Sequence, residues 1–362
     1  MTLAMAHEAA RSKLTMVKAG TDPVAEARAA SSAIAAQHAK AVTFKVCATS
    51  YIEAMSSEWK NTKHAAQWTS TLTTYAFPFM GGMLVGDIDT PQVMAALEPI
   101  WTTKTETATR VRGRIESVLD WATTRKYREG LNPARWKGHL NHLLPAPRKV
   151  TKVEHHPALP ASESPAFMLS LRAAEGMGAR ALEFAILTAA RSGEVRGATW
   201  AEVDESAATW TIPGERMKVD ADHRVPLSAD ALALLKSLPR IAGEVDLLFP
   251  ATRGQQLSDM TLSAVIKRLN KADGNRWVDP KLKRPAVPHG FRSTFTDWAT
   301  EIAHYSEHMT EMALAHAIKG ETKAAYMRGD LFDKRRDMMK DWASFLSHPY
   351  APVKAVATAE PV

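Results

Sequence analysis

The chain has 362 residues, of which 46 are Lys or Arg and 39 are Asp or Glu, so its formal net charge at pH 7 is +7. With 45% hydrophobic and 23% charged residues, the composition is typical of a globular protein of two or three domains and argues against global disorder. The single cysteine, Cys47, excludes an internal disulfide framework and any Cys-x-x-Cys metal site, which fits a reducing cytoplasm. No secretory signal is present, and the least polar run, residues 75–86, is shorter than the ~20 apolar residues of a membrane-spanning helix. A sequence pI of about 9.4 suggests a polyanionic partner.

The N-terminal half predicts only helices. Residues 1–40 are rich in alanine and predict two helices with a break at Gly20, the second one capped by Asp22 and begun by Pro23. From residue 41 onward, apolar side chains recur at helical spacing in four successive segments. Residues 41–133 are therefore predicted to form an all-helical domain.

Residues 134–157 are predicted to form an interdomain linker. The stretch between Glu129 and Glu154 has no acidic residue, but it contains five basic ones, including Arg148 and Lys149, and three prolines. Because proline disfavours helix and favours extended chain, we expect an extended connection. Charge that only aids solubility explains this segment equally well when it is taken alone.

The C-terminal half predicts helices interrupted by one strand region. Trp210 and Ile212, and later Val225 and Leu227, alternate with polar neighbours on either side of a polar segment, which predicts a β-hairpin with a loop. Helices are expected near residues 262–269, 291–302 and 333–346, a further short strand at 247–249, and a mobile tail at 348–362. The predicted fold class is mainly α with a small antiparallel β-sheet.

Two segments place basic groups at turns, where a phosphate could bind. In residues 187–194 an apolar helix ends and Arg191 lies in the break, with a planar fork of donors suited to two phosphate oxygens. Further along, His289 and Arg292 are one helical turn apart on one face. A surface arginine beside a helix cap, and chance spacing of His and Arg, explain each segment alone.

A third segment contains His316 and, ten residues later, Tyr326. A buried tyrosine that caps a helix pair is the commoner explanation of such a residue. The three segments together, however, resemble the tyrosine site-specific recombinases, also called the phage integrase family. That family has an Arg at a helix break, a Lys on a β-hairpin, His-x-x-Arg, a later His or Trp, and a Tyr nucleophile about ten residues on. Every element is present here in this order.

The resemblance covers nearly the whole chain. Residues 210–228 and 335–343 look like the versions found in integrases of prophages and genomic islands, and residues 20–23, 59–64 and 107–115 look like the N-terminal and core-binding regions of that branch. It implies an all-helical core-binding domain and a mixed α/β catalytic domain with the DNA breaking-rejoining fold. Members of this branch usually begin with a small arm-DNA-binding domain. The sequence starts near the last helix of that domain, so arm-site binding stays open.

The resemblance implies a set of phosphate-binding residues. Arg191 and Arg292 form a clamp, because preorganised cations best neutralise the nonbridging oxygens in the transition state. His289 adds a hydrogen bond to the same phosphate, and His316 supports the site from the opposite side. Glu194, one turn after Arg191, either orients a basic group of the site or only provides a favourable charge in the first turn of a helix.

The resemblance also implies the acid and the nucleophile. Lys218 protonates the leaving 5′ oxygen, a role for which the neighbouring Arg216 is the local competitor. Tyr326 attacks as phenolate, and since an ordinary tyrosine has a pKa of about 10, nearby cations or a base must help remove its proton. The 3′-phosphotyrosyl link keeps the bond energy for religation, so no metal and no cofactor is implied. Tyr305, the other tyrosine of this region, is expected to pack.

The implied partners are double-stranded DNA attachment sites, on which the protein forms a homotetramer holding two duplexes through a Holliday junction. The apolar stripe of residues 338–346 is either an exchange surface between protomers or packs within its own protomer. The resemblance further implies a monomer without DNA, room for a directionality factor, no membrane, and a bacterial, nucleoid-associated cytoplasmic location. Phosphate contacts are predicted for Lys60, Lys63, Arg110, Arg114, Arg148 and Lys149.

The implied function is a site-specific recombinase that integrates or excises a prophage or genomic island. Residues 1–40 are expected to be a helical remnant of the arm-binding region and linker, and residues 41–133 a core-type DNA-binding domain. Residues 134–157 are expected to form the interdomain linker, residues 158–347 the catalytic domain, and residues 348–362 the tail. One alternative is a DNA-binding regulator without strand transfer, although all six catalytic positions are filled. Another is a type IB topoisomerase-like enzyme that relaxes DNA without pairing sites.

Overall fold

The computed structural model describes residues 2–59, 62–151, 154–217, 220–241, 243, 245–316 and 329–348, without the side chains of residues 33–40, 62 and 63. The chain divides into two compact units, Met1–Glu154 and His155–Val362. Across the described ranges, no helix is both long and apolar enough to cross a membrane.

The first unit is built from helices, as predicted. Their starts follow capping rules: the Asp89 carboxylate accepts a hydrogen bond from the Thr90 amide, and the Gln92 side chain accepts one from the Asp89 amide in return. The helices are α1 (Leu3–Lys18), α2 (Pro23–Lys40), α3 (Phe44–Met55), α4 (Thr62–Tyr75), α5 (Phe77–Met80), α6 (Thr90–Trp101), α7 (Thr105–Thr124) and α8 (Pro147–Val150).

The core of this unit lies between α3, α4, α6 and α7. Phe44, Cys47 and Leu72, three of the apolar side chains that recur at helical spacing, are buried there. Burial raises the pKa of the Cys47 thiol to about 11, so this cysteine is an apolar packing residue and not a reactive thiolate. In contrast, α1 buries no side chain.

Residues 134–151 differ from the predicted extended linker, because they pack on the core of the first unit. Leu140 and Leu144 are buried in that core, and the Trp136 ring stacks on Trp101 at 5.5 Å between ring centroids. The Trp101 indole also donates a hydrogen bond to the Pro145 carbonyl at 2.9 Å. The prolines do prevent a long helix, but they do not prevent a turn-rich chain from burying its apolar side chains.

The second unit contains a three-stranded antiparallel sheet in the order β1-β2-β3. The predicted hairpin is confirmed as β2 and β3, with Trp210 opposite Val225. The predicted strand at 247–249 is wrong, since Leu247 forms only an isolated bridge to Thr199, and three successive buried side chains before a proline do not alternate as a strand in this sheet would. The strands are β1 (Val203–Asp204), β2 (Thr209–Ile212) and β3 (His223–Pro226).

Helices surround this sheet and bury a shared apolar core. The central one, α10, is buried along nearly its whole length. After α14 the chain continues as one π-helical turn over residues 298–302. The helices are α9 (Ser164–Ala173), α10 (Met177–Thr188), α11 (Ser192–Arg196), α12 (Ala229–Lys236), α13 (Thr261–Ala272), α14 (Gly290–Asp297), α15 (Glu307–Ala313) and α16 (Phe332–Ser347).

The apolar stripe on α16 packs within its own protomer. Met338, Met339 and Leu346 are buried in the core of the second unit. Trp342 lies 4.9 Å from Trp298 between ring centroids, and its indole donates a hydrogen bond to the Ile186 carbonyl at 2.8 Å. Of the two alternatives for this stripe, the structure therefore shows internal packing.

A buried arginine joins α16 to the sheet. Arg335 is 1% exposed and donates to the Asp330 carbonyl at 2.7 Å and to the Arg224 carbonyl at 2.8 Å. It also donates to the Asp330 carboxylate at 3.2 Å, and that carboxylate accepts from the Arg224 guanidinium at 2.7 Å. The start of α16 is thus held against β3 by charge-assisted hydrogen bonds.

Replacing Arg335 by Met should destabilise the second unit by about 3 kcal/mol, because two carbonyls and one carboxylate lose a buried donor. Arg336→Met is the matched control. Arg336 is only partly buried and donates one bond to the Ala207 carbonyl at 3.1 Å, so a loss below about 1 kcal/mol is expected. Urea unfolding followed by tryptophan fluorescence measures both, and equal losses would contradict the assigned role of Arg335.

Candidate active site

Arg191 lies directly before the short helix α11, as its N-cap residue, and is held there by Glu194. The Glu194 carboxylate accepts from the Arg191 amide at 2.7 Å and from the Arg191 guanidinium at 2.7 Å. Glu194 is buried, so this carboxylate fixes both the backbone and the side chain of Arg191. Residue 191 stands at the predicted helix break.

Arg292 lies in the first turn of α14 and is 6% exposed. Its guanidinium donates to the Ala189 carbonyl at 2.5 Å through one terminal nitrogen and to the Leu314 carbonyl at 2.5 Å through the other. Arg191 donates to the neighbouring Ala315 carbonyl at 3.3 Å. Both guanidinium groups therefore meet at the turn that follows α15.

Two of these three carbonyls belong to alanines in a left-handed backbone conformation. Ala189, at the end of α10, has φ of +52°, and Ala315, in the turn after α15, has φ of +48°. This region is sterically costly for a residue with a Cβ. The strained turns aim their carbonyl oxygens at Arg292 and Arg191 respectively.

The two arginines repel each other, and burial adds to the cost of their charge. Burial, followed by repulsion from Arg191, lowers the pKa of Arg292 to about 10, while Glu194 and Glu311 act in the opposite direction. Arg292 therefore stays protonated at neutral pH. Because a guanidinium has five N–H donors, the bonds named above leave donors for an anion.

His289 lies directly before α14, beside this pair. Burial first, and then the charges of His156, Arg292 and Arg191, lower the pKa of His289, so its imidazole is neutral at neutral pH. The His156 ring lies edge-on to it at 4.6 Å between centroids. A neutral imidazole provides one donor without adding a further positive charge.

Residues 156–158 can pack closely against the start of α14 because residue 290 is a glycine. A Cβ on Gly290 would lie 1.9 Å from the Pro157 carbonyl oxygen, so this position accommodates no larger residue. The Thr294 hydroxyl donates to the Leu159 carbonyl at 2.6 Å, and the Val287 amide donates to the Pro157 carbonyl at 3.2 Å. These contacts fix the segment that carries His156.

His316 faces Arg292 from the end of the turn after α15. Its Nε2 lies 3.2 Å from the Arg292 guanidinium, and its Nδ1 lies 2.6 Å from the Glu311 carboxylate. The structure thus brings together Arg191, Glu194, His289, Arg292 and His316. Lys218 and Tyr326 lie outside the described residues.

His223, a side chain of β3 that no sequence motif singles out, also lies at this site. The imidazole bonds to the Ala313 carbonyl, and its pKa is lowered to about 4, first by burial and then by Arg335, with Glu194 and the carbonyl acting in the opposite direction. His223 thereby ties the sheet to the turn that holds both arginines. In the sequence, the one indication for His223 is its place in residues 210–228, the hairpin segment that resembles those of prophage and genomic-island integrases.

Two other residues considered from the sequence have different partners. Arg216, the competitor of Lys218, donates to the Glu202 carboxylate and to the Glu194 carbonyl. Tyr305 donates to the Asp341 carboxylate at 2.6 Å, and burial together with Asp341 raises the pKa of this phenol far above its usual value. Both side chains therefore have packing roles in the second unit.

The predicted DNA-contacting residues differ in exposure. Arg148 and Lys149 are exposed, as is Arg110, which pairs with Glu106. Arg114 was predicted to share the face of Arg110, but it is only 8% exposed, donates to the Gln67 carbonyl at 2.8 Å and lies over the Trp68 ring. Sequence spacing could not show which side of α7 packs against α4. Lys60 lies outside the described residues, and the side chain of Lys63 is among those not described.

The stability of the second unit should fall as the pH drops from about 6.5 to about 4. Over this range His223 is protonated in the unfolded chain but not in the folded state, where its pKa is about 4. Because the unfolded state binds the extra proton, lowering the pH favours unfolding. The expected loss is on the order of 2–3 kcal/mol. Urea unfolding at a series of pH values measures it, and a His223→Gln variant, which keeps a donor for the Ala313 carbonyl, should show a shallower pH dependence. Equal pH dependence in both proteins would contradict the burial of His223 as a neutral group.

Comparison with known proteins identifies the family. Residues 44–139 match the phage integrase central domain, and residues 159–330 match the phage integrase family. The chain is 28% identical to the integrase of Enterobacteria phage P4, over 96% of this chain and 78% of that protein. It is 30% identical to prophage integrase IntZ of Escherichia coli K12, over 95% and 80% of the two chains. A lambda integrase tetramer bound to a Holliday junction has the same fold, with a TM-score of 0.60, 18% identity and 87% coverage of each chain. The chain therefore belongs to the phage integrase family, the tyrosine recombinases that cleave and rejoin DNA at specific sites.

Proposed function

We propose that this recombinase integrates or excises a prophage or genomic island, with Tyr326 as its nucleophile. The observation that carries the proposal is the convergence of Arg191, Arg292, His289 and His316, which come from separate segments of the second unit. The prophage and phage integrases to which the chain is similar support the biological setting.

The first chemical step transfers a phosphoryl group from DNA to the enzyme. The phenolate oxygen of Tyr326 attacks the phosphorus, the bond to the 5′ oxygen breaks, and Lys218 gives that oxygen a proton. The product is a 3′-phosphotyrosyl link and a free 5′ hydroxyl. Attack by a 5′ hydroxyl on this link reverses the step and joins the DNA.

The arginine pair stabilises the charge that develops in this step. As phosphorus becomes pentacoordinate, negative charge grows on the nonbridging oxygens, where Arg191 and Arg292 donate. Both guanidinium groups are already positioned by carbonyls and by Glu194, so little reorganisation is needed. The neutral imidazole of His289 adds a donor to the same phosphate.

The first unit binds DNA through the phosphate backbone. Residues 41–133 serve as the core-type DNA-binding domain, and residues 1–40 belong to an arm-binding region and linker. Arg110, Arg148 and Lys149 are exposed cations suited to phosphate contacts, which set position on the duplex without reading bases. Arg114 is left out of this set because it is buried.

The assembly that supports recombination is a homotetramer on two duplexes, formed from monomers that bind attachment sites. The lambda integrase tetramer on a Holliday junction shares the fold of this chain, which supports that assembly. A directionality factor would then select integration or excision. The place of action is the nucleoid in the bacterial cytoplasm.

A nicked suicide duplex that spans an attachment site tests the nucleophile. The wild type should form a denaturant-resistant protein–DNA adduct, and Tyr326→Phe should form none while binding the duplex equally well, because the phenol oxygen is the only atom removed. Tyr305→Phe is the matched control and should still form the adduct. An adduct in Tyr326→Phe would show that another residue is the nucleophile.

The same assay separates the alternatives. Binding without any adduct in the wild type would favour the regulator. Relaxation of a supercoiled plasmid without an attachment site would favour the topoisomerase. Recombination between two attachment sites, with no relaxation of such a plasmid, is the outcome expected here.

The exposed cations of the first unit should contribute to the salt dependence of DNA affinity. Arg110→Ala and Lys149→Ala should each reduce the slope of log affinity against log salt by about 0.9, because each change loses one phosphate contact. Arg114→Ala should leave the slope unchanged and lower the stability of the first unit instead. Fluorescence anisotropy over a salt series, with parallel urea unfolding, measures both properties. A reduced slope for Arg114→Ala would contradict its packing role.

A further inference from the structure

The turn after α15 folds the chain back so that residue 316 lies over residue 311. The His316 amide donates to the Glu311 carbonyl at 3.0 Å, and the His316 Nδ1 lies 2.6 Å from the Glu311 carboxylate. Backbone and side chain therefore both join the same two residues. This arrangement depends on Ala315, whose left-handed conformation reverses the chain direction.

The contacts of His316 determine where its ring proton lies. The Arg292 guanidinium can only donate, so the Nε2 that faces it at 3.2 Å must accept. The proton of the neutral ring is then on Nδ1, where it is donated to the Glu311 carboxylate. Arg292 and Glu311 thus favour the same tautomer in the DNA-free protein.

We propose that Glu311 is a positioning residue of the recombinase, which holds the His316 ring and keeps its proton on Nδ1. This inference rests on the proposed role of His316 in phosphate binding. For Nε2 to donate to a phosphate oxygen it must gain a proton, and the ring then becomes an imidazolium. The Glu311 carboxylate stabilises that cation through the bond to Nδ1.

The surrounding charges make this support necessary. Two cations lie beside His316: the Arg292 guanidinium is 3.2 Å from its Nε2, and Arg191 donates to the carbonyl of the neighbouring Ala315 at 3.3 Å. Glu311 is the acidic partner within hydrogen-bond distance of this imidazole. The side chains of Glu311 and His316 are 46% and 40% exposed, so solvent screening keeps the effect modest.

The tautomer is tested in the protein without DNA, so the result is independent of catalysis. Long-range ¹⁵N–¹H spectra of histidine-labelled protein, assigned with a His316→Gln variant, should show a protonated Nδ1 and an unprotonated Nε2 for His316. The Nδ1 proton should resonate far downfield and move upfield in Glu311→Gln. A protonated Nε2 in the neutral wild-type ring would overturn the proposal.

Cleavage of the nicked suicide duplex tests the consequence. Glu311→Gln should slow adduct formation about tenfold, which corresponds to the loss of one charge-assisted hydrogen bond, and change the Kd for the duplex less than about twofold. The matched control is Glu307→Gln, on the exposed first turn of the same helix, which should behave as wild type. Equal rates for Glu311→Gln and wild type would overturn the proposal.

A double-mutant cycle with His316→Trp separates positioning from general damage to α15. An indole N–H donates without any choice of tautomer and without an acidic partner. Glu311→Gln should therefore slow a His316→Trp enzyme by less than about twofold, whereas an equal tenfold effect in both backgrounds would mean that Glu311 acts on the fold alone. An absent adduct in the wild type would count against the proposed function, while the tautomer measurement would still decide the role of Glu311.

Discussion

Two guanidinium groups of like charge, held side by side by backbone carbonyls, are the constraint on which the second unit depends. Arg292 is almost fully buried and Arg191 approaches it, so the pair is unfavourable unless other groups compensate. The compensation comes from carbonyls at the end of α10 and in the turn after α15, together with the carboxylate of Glu194. The ends of α10 and α15 must therefore converge with the starts of α11 and α14.

Carbonyls suit this purpose better than carboxylates would. A carboxylate on Arg292 would cancel the charge that a phosphate needs and would occupy the donors in a bidentate contact. A carbonyl carries only a partial charge, so it orients the guanidinium and leaves its full charge available. Arg292 is held by the carbonyls of Ala189 and Leu314, and the buried carboxylate of Glu194 pairs with Arg191. The left-handed alanines are the structural cost of this choice, since each bends the chain to point a carbonyl inward.

Local patterns in the sequence predicted most of the fold. Apolar periodicity gave the helices of both units, and alternation around Trp210 and Val225 gave the hairpin, because each pattern reports burial within a single element. Local patterns did not predict burial that depends on residues far along the chain. The four-residue spacing of Arg110 and Arg114 predicts a charged face on α7. The packing of α4 against that helix, which buries Arg114, is visible only in the structure. The prolines at residues 133, 145 and 147 predict an extended chain, but Leu140 and Leu144 are nonetheless buried in the core of the first unit.

The sequence likewise predicts only part of the candidate site. Its arginines and histidines were recognised as an ordered series of motifs, and the structure places Arg191, His289, Arg292 and His316 together. The groups that hold them were not recognised. Glu311 is five residues from His316, a separation that brings two side chains together on neither a helix nor a strand, so only the left-handed turn makes them neighbours.

The histidines show how the site gains donors without more repulsion. His223 and His289 both have a lowered pKa because burial and nearby arginines disfavour a further positive charge. As a neutral ring, His223 adds a hydrogen bond to the Ala313 carbonyl, and neutral His289 offers a donor, at no cost in like charge. A bound phosphate reverses the balance, since its negative charge favours protonation of a neighbouring imidazole. The same crowding of cations that makes these charges costly to bury therefore makes the site responsive to an anion, and the groups that position the rings determine which nitrogen is protonated.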